Sequence, residues 1–149
     1  MAVLTDFAEL HVSIDYRLVG LVDDACHGGA KPPSPHTVGH WIGTTPGNVY
    51  LENIDEEVVL GAQMRLETRD GPAKFDPSGW DRSDVIVMDF PSGILSVDEL
   101  TYGGLADVYR LPEGRRWHTR LAWRVEAPAK PGERPFASIL VQFWRAVHA

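Results

Sequence analysis

The segment Arg116–Glu126, RWHTRLAWRVE, sets Trp117, Thr119, Leu121, Trp123 and Val125 on one parity and Arg116, His118, Arg120 and Arg124 on the other. A period of two marks a strand with one buried and one wet face. The alternation recurs as Leu10, Val12, Ile14, Tyr16 and Leu18, and as Val58, Leu60, Ala62, Met64 and Leu66. Strands with one wet face belong to antiparallel sheets, because parallel sheets are covered on both sides. Shorter strands are expected at 48–54, 84–90, 93–98 and 104–110. Phe136–Trp144 is apolar on both parities, which predicts a central or covered strand.

Turn signals separate these runs: Pro46-Gly47, Asp70-Gly71-Pro72, Asp76-Pro77-Ser78-Gly79, Pro91-Ser92-Gly93, Gly103-Gly104, Pro112-Glu113-Gly114 and Pro131-Gly132. No stretch sustains helical spacing of apolar residues, so at most one short helix or turn is expected. The prediction is an all-β chain, an antiparallel β-sandwich of about 7–9 strands. With 149 residues, 44% of them hydrophobic and 23% charged, it reads as one folded domain over 1–149.

Twenty-one Asp and Glu against fourteen Lys and Arg give a net charge of −7. That sign disfavours direct binding to nucleic acid or to an anionic membrane, and favours a basic partner. The charge is uneven: residues 1–109 carry 18 acids and 6 bases, and residues 110–149 carry 3 acids and 8 bases. Cys26 is the sole cysteine, which excludes an intramolecular disulfide and fits a reducing compartment. The N-terminus lacks a basic leader and no apolar run approaches 18 residues, so a cytoplasmic location is expected.

One long irregular loop is expected over 23–48, and such loops are often functional. It holds Cys26, His27, His36 and His40, residue types that bind zinc. Their spacing, C-H-x8-H-x3-H, matches no usual structural zinc pattern; the alternative to ligation is a packed cysteine and surface histidines. A thiol nucleophile at Cys26 would need a nearby histidine, and no catalytic signature surrounds it. Asp76, Asp81 and Asp84 could gather calcium in an inter-strand loop, or serve as turn formers.

Two acidic turns stand out as candidate partner-binding surface: Asp55, Glu56 and Glu57 in one, Asp98 and Glu99 in the other. Brought together, they would create a field that attracts a basic protein. The stripe of Arg116, Arg120 and Arg124 is an alternative anion surface, unless it pairs across strands with Glu67 or Glu57.

The order of several segments resembles the ComJ or Nin type inhibitors of the competence DNA-entry nuclease. The likeness runs from about Leu10 to Val125. It rests on ELHVSIDYRLVGLVD, then Trp41 and Gly47 before NVYLEN, then VVLGAQMRLE, SDVIVMDFPSGILSVDEL and YRLPEGRRWHTRLAWRV. The resemblance implies a small cytoplasmic β-sandwich that binds a nuclease and blocks it, without catalysis of its own. Two departures are the basic C-terminal part and the Pro- and His-rich loop, and no functional residue carries over by motif.

The residues lead to one expectation, a cofactor-free binding module that acts as an inhibitor or immunity-type partner of a basic protein, and the resemblance adds a nuclease as the candidate target. The alternative is a metal-dependent small-molecule binder or enzyme using the 23–48 loop with zinc or calcium. Edge-strand pairing into a homodimer is a further possibility.

Overall fold

The computed structural model describes residues 2–26, 40–100, 103–112, 115–128 and 130–146. Its strands are β1 (Leu4–Ser13), β2 (Leu18–Asp23), β3 (Ile42–Thr45), β4 (Asn48–Glu52), β5 (Gly61–Arg69), β6 (Arg82–Asp89), β7 (Ile94–Asp98), β8 (Gly104–Arg110), β9 (Arg116–Glu126) and β10 (Phe136–Arg145). Among the described residues there is no α-helix, only 3-10 turns at Asp24–Cys26 and Pro77–Gly79. They form two five-stranded sheets, ordered β1-β5-β10-β9-β6 and β3-β4-β2-β7-β8.

The deciding segment folds as its alternation predicts. β9 buries Trp117 and Trp123 to 1% exposure each and turns His118, Arg120 and Arg124 away from the core. β10 is the central strand of its sheet, which explains why both of its parities are apolar. It pairs antiparallel with β9 but parallel with β5, Ala137 opposite Ala62 through Phe143 opposite Thr68. The sheets are therefore mostly, not wholly, antiparallel. One hydrophobic cluster draws side chains from both sheets, including Met64, Leu66, Leu121 and Phe143 from the first and Val19, Leu21, Val49 and Leu95 from the second. The Phe143 ring stacks on Tyr109 at 6.1 Å and meets Phe90 edge-on at 5.7 Å. A 2.6 Å hydrogen bond between the hydroxyls of Thr68 and Tyr109 adds a buried polar link between sheets.

Three expectations about segment limits are corrected. The run from Leu10 to Leu18 is two strands in different sheets: β1 ends at Ser13, and the chain reverses between Asp15 and Leu18. Tyr16 (φ 51°) and Arg17 (φ 65°) hold that turn in left-handed backbone, where Asn and Gly are the usual occupants, so no local signal announced it. The second run also begins later: Val59 is buried, while Val58 and Leu60 point to solvent, and the strand starts at Gly61. The expected 23–48 loop contains β3 and a 3-10 turn, and its residues 27–39 lie outside the described residues.

Candidate functional site

β2 is flanked by β4 and β7, both antiparallel to it, with Leu18 opposite Glu52 and Gly20 opposite Asp98. The ends of β4 and β7 therefore lie at the same end of the second sheet, beside the start of β2. This topology brings together the two acidic turns that the sequence separates by about forty residues.

The first acidic turn is folded around Asn53, which is buried. Its side chain accepts from the Asp55 N–H at 3.1 Å and donates to the Glu57 carbonyl at 2.9 Å. The Asp55 carboxylate pairs with Arg82 at 2.5 Å. Glu56 and Glu57 are exposed, and no ion pair holds their side chains among the described residues. Arg17 ties this loop to the β1–β2 turn, donating to the carbonyls of Asn53 at 3.2 Å and Asp55 at 2.5 Å. Two backbone bonds complete the join, from Asn53 N–H to the Arg17 carbonyl at 2.8 Å and from Ile14 N–H to the Leu60 carbonyl at 2.9 Å.

The second acidic turn is internally employed more than the first. Glu99 is only 7% exposed and accepts the Ser13 N–H at 2.5 Å. Asp98 accepts the Leu100 N–H at 2.9 Å and the Tyr50 hydroxyl. Tyr50 reaches it across β2 because Gly20 lies between them; a Cβ there would collide with the tyrosine ring. Burial, reinforced by Asp98, pushes the Tyr50 phenol well above its ordinary pKa. Of the five acidic candidates, Glu56 and Glu57 present their charge most openly.

Sequence reasoning missed the apolar side chains of the same end. Tyr16 is 76% exposed, Ile54 48%, Val58 56% and Leu60 49%. A period-two reading assigned Val58, Leu60 and Tyr16 to the core, and only the turn geometry shows otherwise.

The metal alternatives fare differently. Among the described residues no three His, Cys, Asp or Glu side chains stand together as metal ligands. His27 and His36 lie outside the described residues. His40 is set against Asp84, 3.7 Å from its carboxylate, and Nδ1 of the ring accepts the Ile42 N–H at 3.1 Å. Burial and then Asp23 raise the Cys26 thiol pKa, with Arg115 opposing. A thiolate nucleophile requires the opposite shift. The three calcium candidates each have their own hydrogen-bond partners. Asp76 caps the 3-10 turn through Ser78, Asp81 accepts the Val125 N–H at 2.8 Å, and Asp84 accepts the Trp41 indole N–H at 2.7 Å.

The arginine stripe is mostly neutralised, though not by the expected partners. Arg116 pairs with Asp89 at 3.2 Å and Arg124 with Glu126 at 2.5 Å. Arg120 reaches Glu67 only through Gln142, and its guanidinium lies over the rings of Phe75 and Trp144 at 4.5 and 5.2 Å. Glu67 binds Arg65 at 2.6 Å and Arg69 at 3.0 Å. A cleft of about 300 Å³ between the β3–β4 turn and the end of β6 is lined by Val87, Met88, Asp89 and Arg116, among others. Its two charged groups cancel each other in the Asp89–Arg116 pair.

The class this architecture defines is an all-β fold of two five-stranded sheets. Among solved structures it is similar to ComJ from Bacillus subtilis, an inhibitor of the DNA degrading activity of NucA. The TM-score is 0.66 at 9% identity, covering 98% of this chain and 99% of that one. It is also similar to the protein of crocagin biosynthetic gene J, with a TM-score of 0.55 at 15% identity over 94% of this chain and 97% of that one. No family model matches the sequence, and no curated protein matches it significantly. The resemblance read from the sequence thus holds at the level of the fold. No helix among the described residues is long and apolar enough to cross a membrane.

Proposed function

We propose that the chain is a protein-binding β-sandwich, one domain over 1–149, that inhibits a basic protein, specifically a nuclease, in the manner of an immunity partner. The observation that carries this reading is the exposure of the Glu56 and Glu57 carboxylates in a braced turn at the end of the second sheet where the Asp98–Glu99 turn also lies. Support comes from the shared fold with a nuclease inhibitor over nearly the full length. The inhibitor works by occupying its target, with no cofactor, in the cytoplasm. Glu56 and Glu57 act at long range, steering a cationic surface into register and raising the association rate.

The test is capture from an extract of the source organism at low salt, elution along a salt gradient, and assay of each retained protein for degradation of plasmid DNA. The expected result is a basic nuclease whose activity stops when this chain is added back. Association should slow at least ~10-fold between low and physiological salt as screening shortens the range of attraction. Retention of no nuclease, or of one that the chain leaves active, overturns the reading.

A further inference from the structure

The acidic end carries four exposed apolar side chains on two segments that are bonded to each other. The 53–60 loop begins against Arg17, through the Asn53 and Asp55 carbonyls, and ends against Ile14, through the Leu60 carbonyl. Tyr16 stands at the tip of the intervening turn. Isolated apolar side chains on a surface need no explanation; these four stand on two loops that hydrogen bonds hold against each other, beside the exposed Glu56 and Glu57. The backbone points the same way. Tyr16 occupies a left-handed position that glycine or asparagine would fill with less strain, so its ring is held outward at a cost to folding. The loops are also fixed in advance. Arg17, Asn53 and the Arg82–Asp55 pair leave little ordering to be done on binding, which preserves affinity.

We infer that Tyr16, Ile54, Val58 and Leu60 form the apolar centre of a docking surface for a basic protein, with Glu56 and Glu57 as its charged rim. This rests on the inhibitor reading and names its contact surface. The occupant is a basic protein because the rim is acidic: Asp55, Glu56 and Glu57 are consecutive, and with Arg82 on the first and Arg17 on the loop carbonyls the group keeps a net negative charge. The two parts divide the work. Rim charges set the rate of encounter, and the desolvated centre, anchored by an aromatic ring, sets how long the complex lasts.

The test uses the full chain and the nuclease retained in the capture experiment, with binding kinetics at low and physiological salt. Tyr16→Gly removes the ring, and the left-handed strain it relieves offsets the entropy that glycine adds to the unfolded chain. A thermal melt confirms that point before binding is measured. The expected result is dissociation faster by about 30-fold, the scale of an interfacial anchor, with little change in association rate. Val58→Ser is a second probe of the same centre and should speed dissociation too. Glu56→Lys with Glu57→Lys should slow association instead and flatten its salt dependence.

If the parent chain blocks the nuclease and both Tyr16→Gly and Val58→Ser dissociate unchanged, the docking surface is refuted while the inhibitor reading stands. If light scattering shows a dimer that Tyr16→Gly converts to monomer, the occupant is a second copy and the inference fails in that respect. A parent chain that blocks no nuclease overturns the inhibitor reading and the docking surface together.

Discussion

The Glu99 carboxylate, one residue beyond β7, accepts the backbone N–H of Ser13, the last residue of β1, at 2.5 Å. It joins the two sheets immediately before the Tyr16 turn. Glu99→Ala would strand a partly buried N–H and should cost about 1–3 kcal/mol. Glu99→Gln keeps an acceptor and should cost less. Urea denaturation of both variants checks the order.

Glu67 predicts acid sensitivity. Burial pushes its carboxyl pKa up, but hydrogen bonds from Arg65, Gln142 and Arg69 outweigh this and hold it below its ordinary value. A folded value below the unfolded one, about 4.3, stabilises the fold above that pH and loses the contribution as pH falls through the folded value. Glu67→Gln should flatten the loss of stability below about pH 5. At pH 7 it should cost about 3 kcal/mol, the low end for breaking a buried pair, because both arginines remain partly wet.

Tyr50 predicts the opposite limb. Its folded phenol is raised, so the stabilisation is complete below an unfolded value near 10 and disappears as pH rises through the folded one. Tyr50→Phe should cost about 1 kcal/mol at neutral pH by removing the bond to Asp98. Absorbance at 295 nm should lose one late-ionising phenol. Tyr109, raised chiefly by burial, should still titrate late.

Gly47 turns between β3 and β4 at φ +75°, and a Cβ there would fall inside the contact radius of Cys26 Sγ. Gly47→Ala should destabilise by about 1–2 kcal/mol from backbone conformation alone, and further from the collision. Adding Cys26→Ala should recover part of the second loss. A double-mutant cycle by thermal melting measures that coupling.

Legibility in the sequence followed the chemistry of each segment. The β9 alternation was readable because its tryptophans and arginines face opposite environments, and β10 because a central strand needs no wet face. The Tyr16 turn was hidden because it uses neither glycine nor asparagine; its conformation is fixed by Arg17 reaching carbonyls some forty residues away. The acidic turns were visible as composition, but only strand register places them at one end. That Glu99 turns inward depends on Ser13, a partner from the other sheet that no local pattern specifies.

The parallel seam between β5 and β10 has a consequence for biosynthesis. β1 and β5 form one antiparallel piece and β6 and β9 another, and β10 is the strand that fits between them. While a ribosome is still making the chain, both pieces carry an unpaired inner edge, and that exposure ends only when β10 emerges. Closure waits on pairing between residues about 75 apart, such as Ala62 with Ala137, which makes folding slow. Until then those edges are open to pairing with other chains.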